Sequence, residues 1–322
     1  MRVREAFKMP ADKEEKLRRA QRLEWVTIGF MLSIIAVIGL ALGSSQAMKA
    51  AWVEDILSLV PPIAFLIAAR FRSKEPNERF PWGYRRAMSI AFLVAALALF
   101  AFGSYILVDS ILKLIAAEHP TIGAIEIFGR QIWAGWVMIA ALAYSILPPV
   151  VLGHLKLPLA KELHEKVLYT DAQMNKADWM TGIAAILGIV GIGYGFWWAD
   201  AAAAGVISLD IVKDGVQNLK QAVFDLMDEE CTTVGEEKKD PLQTRLRREL
   251  KKLDWVKDAS VRLREEGDVL TGEAFVIPRG ETNLLENLER ADEQIRSLDW
   301  RIYDVSIVPV RSFENEAKGN SD

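Results

Sequence analysis

The chain has 322 residues, which is long enough for two domains, and 51% of them are hydrophobic. Its formal net charge of −4 combines a basic N-terminal segment with a C-terminal third that is rich in charges of both signs. A single cysteine excludes a disulfide framework and a thiolate metal cluster, and three histidines without ligand spacing argue against an imidazole-rich zinc site.

Residues 1–22 are predicted to form a cytoplasmic tail. They are rich in lysine and arginine, and the first apolar run begins only after them. A cleavable secretory signal needs an apolar stretch soon after a short charged one, so this segment does not fit that class.

Six apolar segments are predicted to cross a membrane as helices, because about 20 mainly apolar residues span the hydrocarbon core. They are residues 24–45, 51–70, 87–108, 131–153, 173–195 and 197–219. The last segment contains three acidic residues and a lysine, so as a span it must turn a polar face into the bundle. The alternative for that segment is a helix lying in the membrane interface. Residues 23–222 are thus predicted to be the transmembrane domain.

The distribution of lysine and arginine orients the predicted bundle. The N-terminal tail, the loop near residues 70–86 and a loop with Lys156, Lys161 and Lys166 are all basic and lie on one side. Few basic residues lie on the other side. The pattern predicts a multi-pass protein of the cell (inner) membrane with both termini in the cytoplasm.

Residues 235–312 are predicted to form a small cytoplasmic α/β domain after a linker at 223–234. A helical periodicity is followed by a hairpin that turns near Gly267, a second helix and a third alternating strand. The order α-β-β-α-β indicates a small open-faced α/β sandwich. Residues 313–322 are predicted to be a disordered tail.

Carboxylates inside the apolar segments are the main functional candidates. A charge at membrane depth costs on the order of 3 kcal/mol, so we expect it to be kept for a function. Glu54 and Asp55 are adjacent in the second segment. The alternative is that both lie at the outer headgroup boundary, close to Lys49.

A second set of polar residues begins the fifth segment. Asp171, Asn175 and Asp178 follow the spacing i, i+4, i+7 and therefore share one helix face. Two carboxylates and an amide form an oxygen-rich surface that suits a hard or borderline divalent cation. For Asp171 the alternatives are a helix N-cap and a cytoplasmic surface charge.

Paired prolines interrupt two predicted spans. Pro61–Pro62 lies in the second segment and Pro148–Pro149 in the fourth. Proline lacks a backbone donor and kinks a helix, and in a membrane such a break is tolerated where it lines a cavity or packs in protein. A simple structural bend is the alternative. The second pair lies on a segment without carboxylates, which argues against a ligand role specific to the carboxylate helix.

With these features the chain resembles the cation diffusion facilitators, a family of proton-coupled exporters of divalent metals. The resemblance covers nearly the whole length: six spans precede an α-β-β-α-β domain similar to a metallochaperone fold. The stretch FPWGYRRAMSIA resembles the family segment that opens span three, through Gly83 and Arg86. The stretch from TDAQMNKADW to FWWAD resembles span five and the turn into span six, with the spacing from Asp178 to Asp200 that the family has.

The resemblance implies a tetrahedral transport site built from residue pairs on spans two and five. Asp178 matches the aspartate of span five, Met174 occupies the position of its usual partner, and Asn175 follows as a possible substitute. In span two, counting back from Arg70 gives Glu54 and Ser58, and a shift by one gives Asp55 and Leu59.

The metal ligands expected from the residues and the resemblance together are Asp178, Glu54, Asp55, Asn175, Asp171 and Ser58. This set has few carboxylates and no imidazole. It is expected to handle a harder ion such as manganese, iron(II) or magnesium, with zinc left open.

The function implied is proton-coupled efflux of a divalent cation by alternating access. The resemblance further implies a homodimer in the lipid bilayer, held together by the cytoplasmic domains, with Arg86 paired to the acidic run Asp225, Asp228, Glu229 and Glu230. The alternative for that pairing is surface charges that only complement one another in sequence. A membrane-anchored sensor or assembly protein with a decayed transport site is the alternative. No cofactor is expected, and no nucleophile–base pair or phosphate loop indicates an enzyme. Nucleic-acid binding is not expected either, because the basic residues follow membrane topology.

Overall fold

A computed structural model describes residues 7, 9–41, 52, 55–117, 123–127 and 130–313. Its first two thirds are mainly helical. The helices there are α1 (Ala11–Ala41), α2 (Val60–Arg72), α3 (Arg86–Ile115), α4 (Ala134–Leu163), α5 (Lys166–Gly193) and α6 (Ala199–Leu226). Two short antiparallel strands, β1 (Ala124–Ile127) and β2 (Arg130–Trp133), lie between α3 and α4.

Four helices in the described ranges are long and apolar enough to cross a membrane. They are Ala11–Gly39, Arg86–Ile115, Ala134–Leu163 and Lys166–Gly193. This confirms an integral membrane protein. The count of six spans stays a prediction, because α2 is 13 residues long and α6 carries charged residues along its length.

The helices form a bundle in which α5 is central. Helix α5 contacts α2, α3, α4 and α6, while α1 packs against α2 and α4, and α3 packs along α6. Large apolar side chains cover the outside of the bundle, and Leu97, Leu147 and Leu187 are each more than half exposed. An exposed apolar surface of this kind is what a lipid-facing bundle requires.

The loop predicted around Lys156, Lys161 and Lys166 is wrong. Lys156 and Lys161 lie inside α4, and Lys166 is the first residue of α5. Only His164 and Glu165 separate the two helices, and His164 has the left-handed backbone (φ 55°) that ends a helix sharply. The helices therefore continue beyond the purely apolar stretches that marked the spans in the sequence.

The C-terminal third is a small α/β region, as predicted. It begins with a hairpin that was not predicted, β3 (Thr232–Thr233) and β4 (Glu236–Lys239). Then follow α7 (Pro241–Lys251), β5 (Val256–Glu266), β6 (Val269–Pro278), α8 (Leu284–Arg296) and β7 (Ile302–Pro309). Strands β5 and β6 pair antiparallel, and β7 pairs parallel to β6 at the other edge.

The core of this region forms where α7 packs on the sheet. Leu242, Leu246 and Leu250 lie on one face of α7 and are buried, since residues spaced four apart share a helix face. Asp240 caps the N-terminus of this helix, and its carboxylate accepts a hydrogen bond of 2.8 Å from the backbone N–H of Leu242.

The turn between β5 and β6 docks against the N-terminal end of α3. Gly267 has a φ of 70°, which favours glycine, and a Cβ at this position would lie 2.9 Å from Cβ of Met88. The turn thus brings the acidic residues that flank it, Glu265 and Asp268, under the helix bundle.

Replacement of Leu246 by alanine should destabilise the α/β region by about 2–5 kcal/mol, because it leaves a cavity under a fully buried side chain. Leu285→Ala is the matched control, since Leu285 on α8 is 73% exposed. Thermal unfolding of the full chain in detergent, followed by tryptophan fluorescence, measures both. Equal melting temperatures for the two variants would contradict this packing.

Candidate cation site in the helix bundle

Carboxylates from two separate helical segments meet in one cavity inside the bundle. Asp55 precedes α2 and Asp178 lies in the middle of α5, and both line a cavity of about 30 Å³. The lining residues are Met31, Ile34, Asp55, Phe102, Ser145, Pro149, Asp178 and Thr181. A water molecule in the liquid occupies about 30 Å³, so the space suits one small ion or water.

Ser58 links the second predicted span directly to Asp178. Its hydroxyl donates a hydrogen bond of 2.7 Å to Oδ1 of Asp178, and its side chain is buried. Asp178 itself is half-buried, with the cavity on its open side. The structure therefore brings together Asp55, Ser58 and Asp178, three of the six ligands expected from the sequence.

A turn in the second predicted span positions Ser58. Residues 55–57 are helical, Ser58 and Leu59 form a turn, and α2 starts at Val60 with Pro61 and Pro62 in its first turn. Proline is tolerated there because the first N–H groups of a helix have no intrahelical acceptor. The expected kink is thus a break at the start of α2.

Glu54 lies outside the described residues. Met174 packs in an apolar cluster with Leu99 and Phe102, and Leu59 packs against the cluster around Met31. Within the described ranges, no group of three or more His, Cys, Asp or Glu residues could hold a metal ion.

Asp171 and Asn175 lie on the face of α5 that was predicted but make other contacts. The Lys156 ammonium contacts Oδ2 of Asp171 closely, and the Asn175 amide donates to the same carboxylate oxygen at 3.2 Å. Asp171 is buried in the second turn of α5, which begins at Lys166. The alternatives of an N-cap and a surface charge are therefore wrong, and the predicted ligand role of Asp171 and Asn175 stays a prediction.

Lys156 bridges two acids from different helices. Its ammonium also donates to Oε2 of Glu24 on α1 at 2.8 Å, and Glu24, Lys156 and Asp171 are all buried. A buried charge persists only when it is paired, so Lys156 compensates Asp171 within the protein. Sequence reasoning missed this triad because Lys156 was assigned to a loop, although its neighbours Leu155 and Leu157 are apolar.

Three further cavity residues that carry a side-chain oxygen or sulfur were not predicted. Met31 lies on α1, Ser145 on α4 and Thr181 on α5. The Thr181 hydroxyl donates to the backbone oxygens of Ala177 and Asp178, at 3.0 and 2.9 Å, and so leaves the Asp178 carboxylate to the cavity. Thr181 follows Asp178 by three residues, a spacing that could have identified it.

Below the bundle, the β5–β6 turn shares its charges with helix ends. The Lys166 ammonium lies 2.6 Å from Glu265 and 2.7 Å from Asp225. Asp268 lies 3.1 Å from Arg72 and 3.3 Å from Arg85. These ion pairs join the ends of α2, α5 and α6 to the α/β region.

Arg86 pairs with the acidic run as the sequence predicted. Its guanidinium donates to Asp228 at 2.9 Å, and Arg264 of β5 contacts the other oxygen of that carboxylate at 3.1 Å. The two guanidinium groups lower the pKa of Asp228, which burial alone would raise.

Glu265 is the best-compensated acid of this junction. Burial raises the pKa of its carboxyl. The ammonium of Lys166 and the imidazole of His164 lower that pKa by more than burial raises it, so that the pKa is about 2. Nε2 of His164 lies 3.6 Å from the Glu265 carboxylate. The folded chain therefore favours the ionised form of Glu265 strongly.

Comparison with known proteins gives one family and several relatives. The family model described as the cation efflux transmembrane domain matches residues 25–227. Manganese efflux system protein MneS of Bacillus subtilis is 27% identical over 220 residues, which are 67% of this chain and 71% of MneS. MneP of the same organism, also a manganese efflux system protein, is 23% identical over 68% of this chain and 72% of MneP. Magnetosome protein MamB of a Magnetospira species is 22% identical over 60% of this chain and 61% of MamB.

The low pKa of Glu265 predicts a pH dependence of stability. Since the folded pKa of about 2 is below the ordinary 4.5, the stabilisation is present above pH 4.5 and is lost as the pH falls toward 2. Glu265→Gln should remove that part of the slope in thermal melts of the full chain over this range. Glu281→Gln, at an exposed position, should keep it. A parent and a Glu265→Gln variant with the same slope would contradict the pairing.

Proposed function

We propose that this chain, which belongs to the cation efflux family of membrane transporters, carries a divalent metal cation out of the cytoplasm in exchange for protons. Membership of the family confirms the resemblance to the cation diffusion facilitators. The proteins of this family are transporters of metal cations rather than enzymes.

The observation that carries the proposal is the meeting of Asp55 and Asp178 at one cavity. In the proposed site both carboxylates bind the cation, and Ser58 adds a neutral oxygen next to Asp178. Glu54 is the neighbouring candidate from the second predicted span. Asp171 and Asn175 lie on the same face of α5 and are proposed to belong to the cytoplasmic side of the route.

Manganese is the first candidate for the transported ion. Two of the relatives are named manganese efflux proteins. Oxygen donors from carboxylates and a hydroxyl suit Mn²⁺ and Mg²⁺, whereas a zinc site prefers imidazole or thiolate. Iron(II) is proposed next, and zinc last.

Proton coupling follows from the chemistry of the site. A cation and a proton compete for the same carboxylate oxygens. A carboxylate that releases the metal can therefore bind a proton instead. Exposure of the cavity to each side in turn then exchanges metal outward for protons inward. We propose six spans for this motion, with both termini in the cytoplasm and the protein in the cell membrane.

The proposed assembly is a homodimer held by the α/β regions. The ion pairs of the β5–β6 turn with Arg72, Arg85 and Lys166 support a close coupling of this region to the bundle within one chain. A partner chain that moved the α/β region would therefore also move the helix ends.

Transport by purified protein in liposomes tests the function. With a metal-sensitive and a pH-sensitive dye inside, the chain should move Mn²⁺ and protons in opposite directions. Asp178→Asn should slow both fluxes by about 10- to 100-fold, a loss seen even for partners that only orient metal ligands. Asp109→Asn is the matched control, because Asp109 lies in α3 and pairs with Lys113 at 2.5 Å on that helix.

Two results would contradict the proposal. If neither ion moves, the chain fits the alternative of a membrane-anchored sensor or assembly protein. If Zn²⁺ moves and Asp178→Ala transports as fast as the parent, the chain transports but the assigned site is wrong.

A further inference from the structure

The two proline pairs belong to a repeated pattern, Ser-x-x-Pro-Pro. It occurs as SLVPP at residues 58–62 and as SILPP at residues 145–149. In a helix, a backbone carbonyl accepts a hydrogen bond from the N–H four residues later, or three residues later in a tight turn. In this pattern both of those positions are prolines, which have no N–H. A single proline would remove only one of the two donors.

The first pattern leaves the carbonyl oxygen of Ser58 without a donor from its own helix. Pro61 and Pro62 are the third and fourth residues after it, and both lie in the first turn of α2. The next N–H along the chain, that of Ile63, donates to the backbone oxygen of Leu59 at 3.2 Å. Ser58 is 3% exposed, so bulk water does not replace these donors.

The second pattern removes the backbone donors from the carbonyl oxygen of Ser145 on α4. Pro148 and Pro149 lie inside the helix, which continues through them to Leu163. Ser145 and Pro149 both line the cavity that contains Asp178. The Ser145 hydroxyl donates to the backbone oxygen of Leu142 at 2.9 Å and so points to the preceding turn.

The two serines whose carbonyls lose their donors therefore both lie near one carboxylate. The Ser58 hydroxyl donates to Asp178 at 2.7 Å, and Ser145 lines the cavity on which Asp178 opens. Inside a membrane an unsatisfied carbonyl is strongly unfavourable unless protein or a ligand satisfies it. A dehydrated cation at the cavity would satisfy both.

We propose that the backbone carbonyl oxygens of Ser58 and Ser145 are ligands of the transported cation. This inference rests on the proposed function and deepens it. Two carbonyls, the Ser58 hydroxyl and the carboxylates of Asp55 and Asp178 form a set of oxygens only, which suits six-coordinate Mn²⁺ or Mg²⁺ rather than tetrahedral Zn²⁺. Carbonyls add ligands without adding negative charge, so the site functions with few carboxylates.

The test restores the missing donors. Pro149→Ala gives α4 an N–H that can bind the Ser145 carbonyl, and Pro62→Ala does the same for Ser58. Each should weaken Mn²⁺ binding by about tenfold or more, measured by titration calorimetry of the intact chain in detergent with manganese chloride. Pro158→Ala is the matched control, because Pro158 is also inside α4 but is exposed and does not line the cavity. It should bind Mn²⁺ within about twofold of the parent.

The ratio of Mn²⁺ to Zn²⁺ affinity separates a ligand role from a bend. Capping a carbonyl removes a ligand that six-coordinate Mn²⁺ uses and tetrahedral Zn²⁺ does not need, so the ratio should fall in Pro149→Ala. A change of helix bend alone should affect both ions alike.

The outcomes distinguish this inference from the function on which it rests. If Pro149→Ala and Pro62→Ala melt like the parent and bind Mn²⁺ as tightly as Pro158→Ala, the carbonyls are not ligands, although transport stands. If one of the two variants fails to fold, the other decides. If the parent chain itself binds no Mn²⁺, the proposed function fails first and this inference with it.

Discussion

The constraint on which the structure depends is that a charge inside an apolar bundle must find a partner there. Helix α5 carries two acids on one face, and the two have different partners. Asp171 has a cationic partner inside the protein, the Lys156 ammonium, which also contacts Glu24. Asp178 receives a hydrogen bond from the neutral Ser58 hydroxyl and, within the described ranges, forms no ion pair. In the proposed function, the transported cation is the charge partner of Asp178.

The same constraint operates where the bundle meets the α/β region. Buried acids of the β5–β6 turn are paired with arginines and a lysine from the helix ends, and Asp268 is fully buried. Breaking such a pair leaves an uncompensated buried charge, which is strongly destabilising. The α/β region and the bundle thus cannot separate easily, and a movement of one is transmitted to the other through the turn at Gly267.

Much of this arrangement could be predicted from the sequence, and the remainder depends on contacts between distant segments. Periodicity identified α7 and the sheet, and helical spacing identified Asp178, because these signals lie within one helix. Ser58 was named only through the resemblance to the family. The role of Lys156 could not be predicted, since it requires α1, α4 and α5 to meet. The sequence argues against a ligand role for the proline pairs, because the segment with Pro148–Pro149 has no carboxylate. The fold brings one there from another helix, Asp178 on α5.

The central claim is that Asp55 and Asp178 hold one divalent cation between them inside the bundle. A crystal structure of the chain grown with Mn²⁺, with data collected at the manganese absorption edge, tests this most directly. The account predicts a single anomalous peak in the cavity, within bonding distance of both carboxylates. A manganese ion bound elsewhere in the chain, with Asp55 and Asp178 contacting only protein, would contradict it.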